Sequence, residues 1–423
     1  MAAAAVVFLA ALAASELRAE SRSSLAENLF RQYSSGIYQV QAVSTQSDKK
    51  NAIGSGFQIS SDGYLVTNYH VVSGAVFFPS LYHIRTIRND GEEQSANIVH
   101  VDVVHDLAIV KVDHPQGVAL TLGTSDLERG SKLFAIGNPM DFGMTIVEGL
   151  SNGYMDKALY RKVLTSLALN PGMSGGPTLD ESGKVVGVNV STAGNALSFV
   201  VPVEFLRKLW LEVQKGGLGK DPVSPLRVQE QLLGQEREYY HGLLAGRWER
   251  QTFGGFQVPT ALSGEFTCWG EPQDRPENWL TDQYLDCRLK DDIFISPSIS
   301  THQVNVNYSW LRSRSRDPQR FYALAEKEMR HGYRFDMDET TESDVENFQC
   351  RTDLVKVANK PFWVSTCARP YKLLPLLYDI NVRMASLGAP QSMLVAEVTL
   401  GGVTRETAKS FMDKFYREIR WGK

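Results

Sequence analysis

Residues 170–177, NPGMSGGP, surround a single serine, Ser174, with three glycines. Glycine adopts backbone angles that a side chain forbids, and it lets a second backbone approach closely. The stretch is therefore either a plain tight turn or a loop that presents a nucleophile to a substrate. A serine hydroxyl is a weak nucleophile at neutral pH unless a base takes its proton. The rest of the chain decides between the two, according to whether it supplies that base.

The composition is that of an ordinary globular protein with more than one packing unit. The chain has 423 residues, of which 43% are hydrophobic and 22% are charged, and this length predicts two or three units. The formal net charge of -4 gives no general attraction to nucleic acid or to an anionic membrane. Neither partner is expected.

The N-terminal segment carries the pattern of a secretory signal. Its apolar run, residues 2–14, is too short to span a bilayer as a helix. Small residues follow the run, so residues 1–19 are predicted to be a signal peptide, and no integral membrane span is expected. No Lys or Arg precedes the run, which leaves an uncleaved N-terminal segment as the alternative. A periplasmic or secreted location follows.

All four cysteines lie in the C-terminal half, as Cys268, Cys287, Cys350 and Cys367. Of the three possible pairings, the cost of loop closure favours Cys268 with Cys287 and Cys350 with Cys367. The spacing is not that of a zinc site, so we expect disulfides formed in an oxidising compartment, no metal and no cofactor. Four reduced, buried thiols are the alternative.

Residues 35–202 read as many short strands divided by turns. The segment IYQVQAV alternates, with Tyr38, Val40 and Ala42 on one face. In GSGFQISSDGYLVTNYHVV, two apolar runs meet at a Ser-Asp-Gly turn, which is a hairpin signal. Repeated short strands of this kind predict an all-β barrel or sandwich.

The pattern changes after Pro202, where helical stretches and a linker follow. We predict a catalytic domain at 30–212, a helical linker at 213–246 and an α+β accessory domain at 247–423. The accessory domain ends in a helix with an apolar stripe that includes Phe411 and Phe415.

Two residues have the character that a nucleophilic serine needs in its partners. His70 follows the apolar run YLVT, where the chain turns, and Asp106 directly precedes the apolar run LAIVKV. A neutral histidine can take the serine proton, and a carboxylate on its other ring nitrogen holds it in the required tautomer. The order His70, Asp106, Ser174 fits a serine protease with a triad between two β-barrels.

Five segments in consecutive order resemble the landmarks of the HtrA/DegP-type, trypsin-like serine proteases, over about residues 30–210. These segments are GSGFQISSDGYLVTNYHVV, DLAIVKV, LTLGTSDLERGSKLFAIGNP, LALNPGMSGGP and ALSFVVPV. The resemblance implies an all-β double β-barrel that hydrolyses peptide bonds in protein or peptide substrates. By matching position, it implies that His70 is the general base, Asp106 its orienter and Ser174 the nucleophile. It also implies an oxyanion hole made by the amides of Gly172 and Ser174.

Two features depart from this family's pattern. Met173 stands where these proteases usually have Asn, and a loop without the hydrogen bonds of that Asn is expected to be less rigid. No PDZ domain is recognisable, and a cysteine-containing region of about 200 residues takes its place. Peptide capture, trimer formation and allosteric control are therefore not carried over, and the sequence does not determine the oligomeric state.

The wall of the specificity pocket is expected to include Ala168, Leu169, Leu197, Ser198 and Phe199. None of these carries a charge, unlike the aspartate that a pocket for Lys or Arg would use. Cleavage after small or medium aliphatic residues is predicted.

The sequence therefore predicts an exported serine endopeptidase, acting in quality control of envelope proteins or in processing of one partner. One alternative is a catalytically weak binding protein with a protease fold, which acts through its C-terminal domain. Another is an esterase that uses the same triad.

Overall fold

The computed structural model describes residues 24–194, 197–216, 223–273, 280–289, 291–297, 299–313, 317–331 and 344–422. The predicted signal peptide, residues 1–19, lies outside these ranges. Among the described residues, no helix combines the length and the apolar character that crossing a membrane requires.

The first half of the described chain contains two closed antiparallel barrels of six strands each. The first barrel has the strand order β1-β2-β3-β6-β5-β4, and the second has the order β10-β11-β12-β9-β8-β7. The first barrel's strands are β1 (Ile37–Ser44), β2 (Lys50–Gln58), β3 (Tyr64–Thr67), β4 (Tyr82–Arg88), β5 (Glu93–Asp102) and β6 (Leu107–Val112). The second barrel's strands are β7 (Lys132–Gly137), β8 (Thr145–Tyr154), β9 (Val163–Thr165), β10 (Pro177–Leu179), β11 (Val185–Gly194) and β12 (Leu197–Pro202). The predicted double barrel is confirmed.

The alternation predicted for β1 is present, although both faces of the strand are buried. Tyr38, Val40 and Ala42 belong to the core of the first barrel. Gln39 and Gln41, on the other face, are buried too, and the amide of Gln41 donates to that of Gln39. Polar side chains are tolerated there because they bond one another.

Three helices frame the barrels. Helix α1 (Leu25–Tyr33) precedes β1, α2 (Tyr69–Phe77) lies between β3 and β4, and α3 (Val203–Gln214) follows β12. Helix α2 is nearly all apolar and buried, because it is covered by the first barrel on one side and by the C-terminal domain on another.

The C-terminal domain is built on a seven-stranded antiparallel sheet in the order β15-β16-β19-β23-β22-β21-β20. The strands of the whole domain, inside and outside this sheet, are β13 (Glu249–Phe253), β14 (Phe256–Ala261), β15 (Thr267–Gln273), β16 (Leu280–Arg288), β17 (Ile293–Ser296), β18 (Ile299–Thr301), β19 (Val304–Ser313), β20 (Gln349–Val357), β21 (Lys360–Pro370), β22 (Tyr378–Ser386), β23 (Ser392–Val403) and β24 (Arg420–Trp421). Its helices are α4 (Pro225–Ala245), α5 (Pro318–His331) and α6 (Arg405–Glu418). The predicted α+β class of this domain is confirmed.

Both disulfides join neighbouring strands of this sheet. Cys268 of β15 is bonded to Cys287 of β16, and Cys350 of β20 is bonded to Cys367 of β21. The pairing agrees with the one that loop closure favours.

Helix α4, expected to be a connector, packs on both halves of the chain. Its first half contributes Val228 and Leu232 to the first barrel's core, and its second half contributes Tyr240 to the core of the C-terminal domain. Its buried Glu236 accepts hydrogen bonds from the backbone N–H and the hydroxyl of Thr404. The helix therefore holds the two halves in a fixed arrangement.

Candidate active site

His70 lies in the first turn of α2, directly after β3 ends. Asn68 precedes the helix with an extended backbone, and its side-chain amide donates to the carbonyl of Asp106 at 2.7 Å. This bond connects the start of the helix to the turn between β5 and β6, across the same end of the first barrel.

Asp106 contacts both the backbone and the ring of His70, through one carboxylate oxygen each. One oxygen accepts the backbone N–H of His70 at 2.8 Å, and the other lies 2.7 Å from Nδ1 of the ring. Asp106 has φ +55°, a left-handed backbone that Asp tolerates better than most residues. With Nδ1 bonded to a carboxylate, the ring presents Nε2 as its proton acceptor.

The environment sets the pKa of His70 through two opposed effects. Burial acts to lower the pKa, while the charge of Asp106 and the hydrogen bond to it raise it, and the net result lies above the ordinary 6.5. The His70 side chain is still 29% exposed, so a substrate can reach it.

The loop around Ser174 is shaped by glycines that no other residue can replace without strain. Gly172 has φ +95° and Gly175 has φ +86°. A Cβ at Gly172 would lie 2.4 Å from the carbonyl oxygen of Asn138, and one at Gly175 would lie 2.2 Å from the carbonyl oxygen of Ser55. The glycines therefore permit a backbone packing that presents Ser174, and the loop is more than a plain turn.

Three hydrogen bonds fix this loop against its surroundings. Ser55 donates from its N–H to the carbonyl of Ser174 at 2.7 Å and from its hydroxyl to the carbonyl of Gly172 at 2.7 Å. The N–H of Met140 donates to the carbonyl of Pro171 at 2.8 Å. That last bond fixes the plane of the peptide that carries the N–H of Gly172.

The amides of Gly172 and Ser174 are available to a substrate. Within the part of the chain that the structure describes, neither N–H has a hydrogen-bond acceptor. Two free donors beside a nucleophile are what a developing oxyanion needs.

The hydroxyl of Ser174 does not donate to His70 in the described structure; it donates to the carbonyl of Val190 at 2.7 Å. That carbonyl is available because β11 has a bulge between Asn189 and Ser191, which takes Val190 out of the ladder with β12. The hydroxyl must leave this acceptor before His70 can take its proton. Catalytic hydrogen bonds are often unformed in the absence of substrate.

Met173 is fixed by apolar packing. Its side chain is fully buried, in a core of the second barrel that includes Leu133, Leu169 and Val200. A side chain held in this way anchors the nucleophile loop, although it makes no hydrogen bond. Burial of Met173 thus stands where the family has the hydrogen bonds of Asn, and the lower rigidity of the loop stays a prediction.

The five residues expected to line a specificity pocket divide between the barrel interior and its surface. Leu169 and Ser198 are buried, and the hydroxyl of Ser198 donates to the carbonyl of Leu167 at 2.8 Å. Ala168 and Leu197 are exposed, and Phe199 is half-buried.

Sequence reasoning missed Ser55 and Asn189, the residues that support the nucleophile loop. Asn189 is fully buried; its side-chain amide donates to the carbonyls of Ile136 and Met173, and its own carbonyl accepts the N–H of Gly175. Ser55 lies in the GSGF segment that the resemblance includes, but nothing in its local pattern reveals a contact with the loop.

Comparison with known proteins finds similarity in the N-terminal half of the chain. Residues 54–188 match the model of the trypsin-like peptidase domain. The chain is 38% identical over 169 residues to the "Probable periplasmic serine endoprotease DegP-like" of Halomonas elongata, a match that covers 37% of this chain and 34% of that protein. It is 34% identical over 167 residues to "Protease Do-like 1, chloroplastic" of Arabidopsis thaliana, covering 36% of this chain and 37% of that protein.

Among solved structures, the chain resembles the HtrA-type protease AlgW with tripeptide, at 29% identity and a TM-score of 0.41, over 46% of this chain and 64% of that one. The sequence matches thus span little more than a third of the length of these two curated relatives.

Proposed function

Because residues 54–188 are a trypsin-like peptidase domain similar to those of HtrA/DegP proteases, we propose that the chain is a serine endopeptidase that uses His70, Asp106 and Ser174. The observation that carries this proposal is the two-oxygen grip of Asp106 on His70, beside a serine whose loop leaves two amides free. That combination serves acyl transfer.

In the proposed reaction, Ser174 Oγ attacks the substrate carbonyl carbon while its proton passes to Nε2 of His70. The negative charge on the former carbonyl oxygen is stabilised by the amides of Gly172 and Ser174. The C–N bond then breaks, and His70 gives the proton to the leaving amine. Water, deprotonated by His70, hydrolyses the acyl ester and restores the serine.

The proposed specificity follows from the absence of charge on the pocket residues. Ala168, Leu197 and Phe199 reach the surface and carry no charge. Burying a substrate Lys or Arg side chain among them without a partner would cost free energy. We expect cleavage after small or medium aliphatic residues and little after Lys or Arg.

Export of the chain is part of the proposal. Two disulfides are typical of proteins in oxidising compartments, and one relative's name describes it as periplasmic. A periplasmic or secreted protease fits a role in quality control of unfolded proteins or in processing of one partner.

One observation favours a second candidate, a binding protein with a protease fold and weak catalysis. The hydroxyl of Ser174 is bonded to Val190 instead of His70, as in a site that is latent. In a latent protease, substrate binding would displace the hydrogen bond between Ser174 and Val190 and start cleavage. In a binding protein, cleavage would not follow.

The test is covalent labelling of the purified protein with a fluorophosphonate, with and without unfolded casein. We expect labelling of the wild type and none of Ser174→Ala or His70→Ala. His241→Ala, which changes an exposed histidine of α4, is the matched control and should label as the wild type does. Labelling that requires casein would identify a latent protease. No labelling and no casein cleavage under either condition would refute the protease and favour the binding protein.

A further inference from the structure

A hairpin of the C-terminal domain reaches the active site and touches both barrels. Strands β17 and β18 pair to form this hairpin. The phenol of Tyr69 in α2 donates to the carbonyl of Ile295 at 3.0 Å. On the other barrel, Asp291 accepts the N–H of Leu159 at 2.6 Å and lies 3.0 Å from Nζ of Lys162.

Asp291 is the charged member of the two anchors, and its charge is removed from water. Its side chain is only 4% exposed, and a buried carboxylate without partners would be costly. Lys162 and the Leu159 amide, both from the second barrel, occupy its two oxygens. The hairpin is therefore held at a defined position beside the cleft.

This anchoring places Phe294 against the catalytic histidine. The rings of Phe294 and His70 meet edge to face, with 5.9 Å between their centroids, and the ring of Tyr69 lies 6.4 Å from the same phenylalanine. The C-terminal domain thus presents an apolar ring to His70.

A cavity of about 310 Å³ lies between these groups. Its walls come from both barrels and from the hairpin. Most of the lining surface is apolar and includes Val103, Val190, Ile293 and Phe294, and the ionisable residues of the lining are His70, His105, Asp106, Tyr160, Arg161, Lys162 and Asp292. Its size is at the lower end of the range for ligand pockets, which are about 300–1,000 Å³ and mostly apolar.

The cavity lies close to Ser174, and its position indicates which part of a bound substrate can enter it. Val190 lines the cavity, and its carbonyl is the present partner of Ser174 Oγ. Gly172, whose amide is free, packs against Asn138, and neither residue lines the cavity. The residue whose carbonyl is held at that amide therefore lies outside the cavity, and a neighbouring residue of the substrate is the one that can reach it.

We propose that this cavity binds an apolar side chain of the substrate residue that precedes the one whose carbonyl is attacked, and that Phe294 of the C-terminal domain determines this specificity. The inference rests on the proposed peptidase function. It assigns the C-terminal domain a direct part in substrate selection, because one wall of the subsite does not exist without it.

The experiment compares kcat/KM for two peptides that differ only at that preceding residue, leucine in one and glycine in the other. A leucine side chain that fills an apolar pocket is worth about tenfold or more over its absence. We expect the wild type to favour leucine by at least that factor, and Phe294→Ala to reduce the ratio toward one. Phe294→Leu, which keeps an apolar wall, should retain most of it.

Trp269→Ala is the matched control, since it removes an exposed aromatic ring of the same domain that does not line the cavity. Its ratio should equal that of the wild type. If Phe294→Ala does not fold, Phe294→Trp provides the second measure, because a larger ring fills the cavity and should shift the preference toward glycine.

The inference is overturned if the leucine-to-glycine ratio is unchanged in Phe294→Ala, or if the change appears only for residues after the scissile bond. An equal rise in kcat/KM for all peptides would also overturn it, since Phe294 would then be a plug. Failure of the proposed function is a separate result: the wild type would cleave neither peptide and would not react with the fluorophosphonate.

Discussion

Replacing Gly172 with alanine tests whether its amide stabilises the oxyanion. The new Cβ would lie 2.4 Å from the carbonyl oxygen of Asn138, about 1 Å inside the ordinary contact distance of 3.4 Å. The Asn138 carbonyl and the Met140 N–H, which such a Cβ would meet, are both backbone groups. They cannot turn aside as a flexible side chain could, so the loop itself must move. A displacement of about 1 Å at a reacting centre can cost roughly 10²-fold in rate, and loss of one oxyanion donor costs about 10²–10³ in kcat. We expect Gly172→Ala to lower kcat by about 10²–10³.

The matched control is Gly143→Ala in the neighbouring loop. Gly143 has φ +106°, close to the +95° of Gly172, but a Cβ there meets nothing within 4 Å. Both variants carry the backbone strain of a positive φ, which costs about 1–2 kcal/mol of stability, and Gly172→Ala should lose more because of its backbone contact; thermal unfolding measures both losses. Peptide hydrolysis and fluorophosphonate labelling then report catalysis alone. A Gly172→Ala enzyme with the kcat of Gly143→Ala would refute the assignment of its amide to the oxyanion hole.

Three further predictions concern the base, the loop and the disulfides. His70 acts as a base only when neutral, and its pKa lies above 6.5, so kcat/KM should fall as the pH drops through that raised pKa. Asp106→Asn removes the charge that raises it; a pH–rate profile should show a lower rate and an acid limb at lower pH, and an unmoved limb would contradict the assignment. Met173→Asn should lower the free energy of unfolding by about 2–5 kcal/mol, the range for truncating a buried methionine, without raising activity; a faster enzyme would show that the apolar anchor limits catalysis. Replacing Cys350 and Cys367 together with serine should cost about 3 kcal/mol, as expected for a loop of this length, and denaturant unfolding with no change in stability would contradict this.

The strands of the barrels could be predicted from the sequence because their signals are local, whereas the double barrel itself was implied by the family resemblance. Alternation in β1 and the turn before β3 depend on residues within a few positions of each other. Ser174 and its glycines were recognisable for the same reason, since the conformations that NPGMSGGP adopts are a property of the segment itself. The cysteine pairing was accessible too, because a short loop costs less entropy to close than a long one.

The supports of the nucleophile could not be predicted in this way. The hydroxyl of Ser55 bonds a carbonyl 117 positions away, and no periodicity connects the two. Asn189 is one polar residue in an apolar strand. Only the fold shows that its side-chain amide, its backbone N–H and its carbonyl all bond the loop around Ser174. The partner of Ser174 Oγ depends on a bulge at Val190, and a bulge is defined by the register with the partner strand, which the sequence of β11 alone does not show.

The placement of the C-terminal hairpin adds a constraint that belongs to neither half of the chain alone. A buried ion pair contributes little net stability but is costly to break by removing one partner, so Asp291 and Lys162 act mainly to specify one docking position. Since Tyr69 precedes His70 directly, the same docking fixes the surroundings of His70. A cleft completed in this way presents a different surface from that of the two barrels by themselves. The substrate preference that we propose is therefore expected to depend on the C-terminal domain, which lies outside the residues that match the peptidase model.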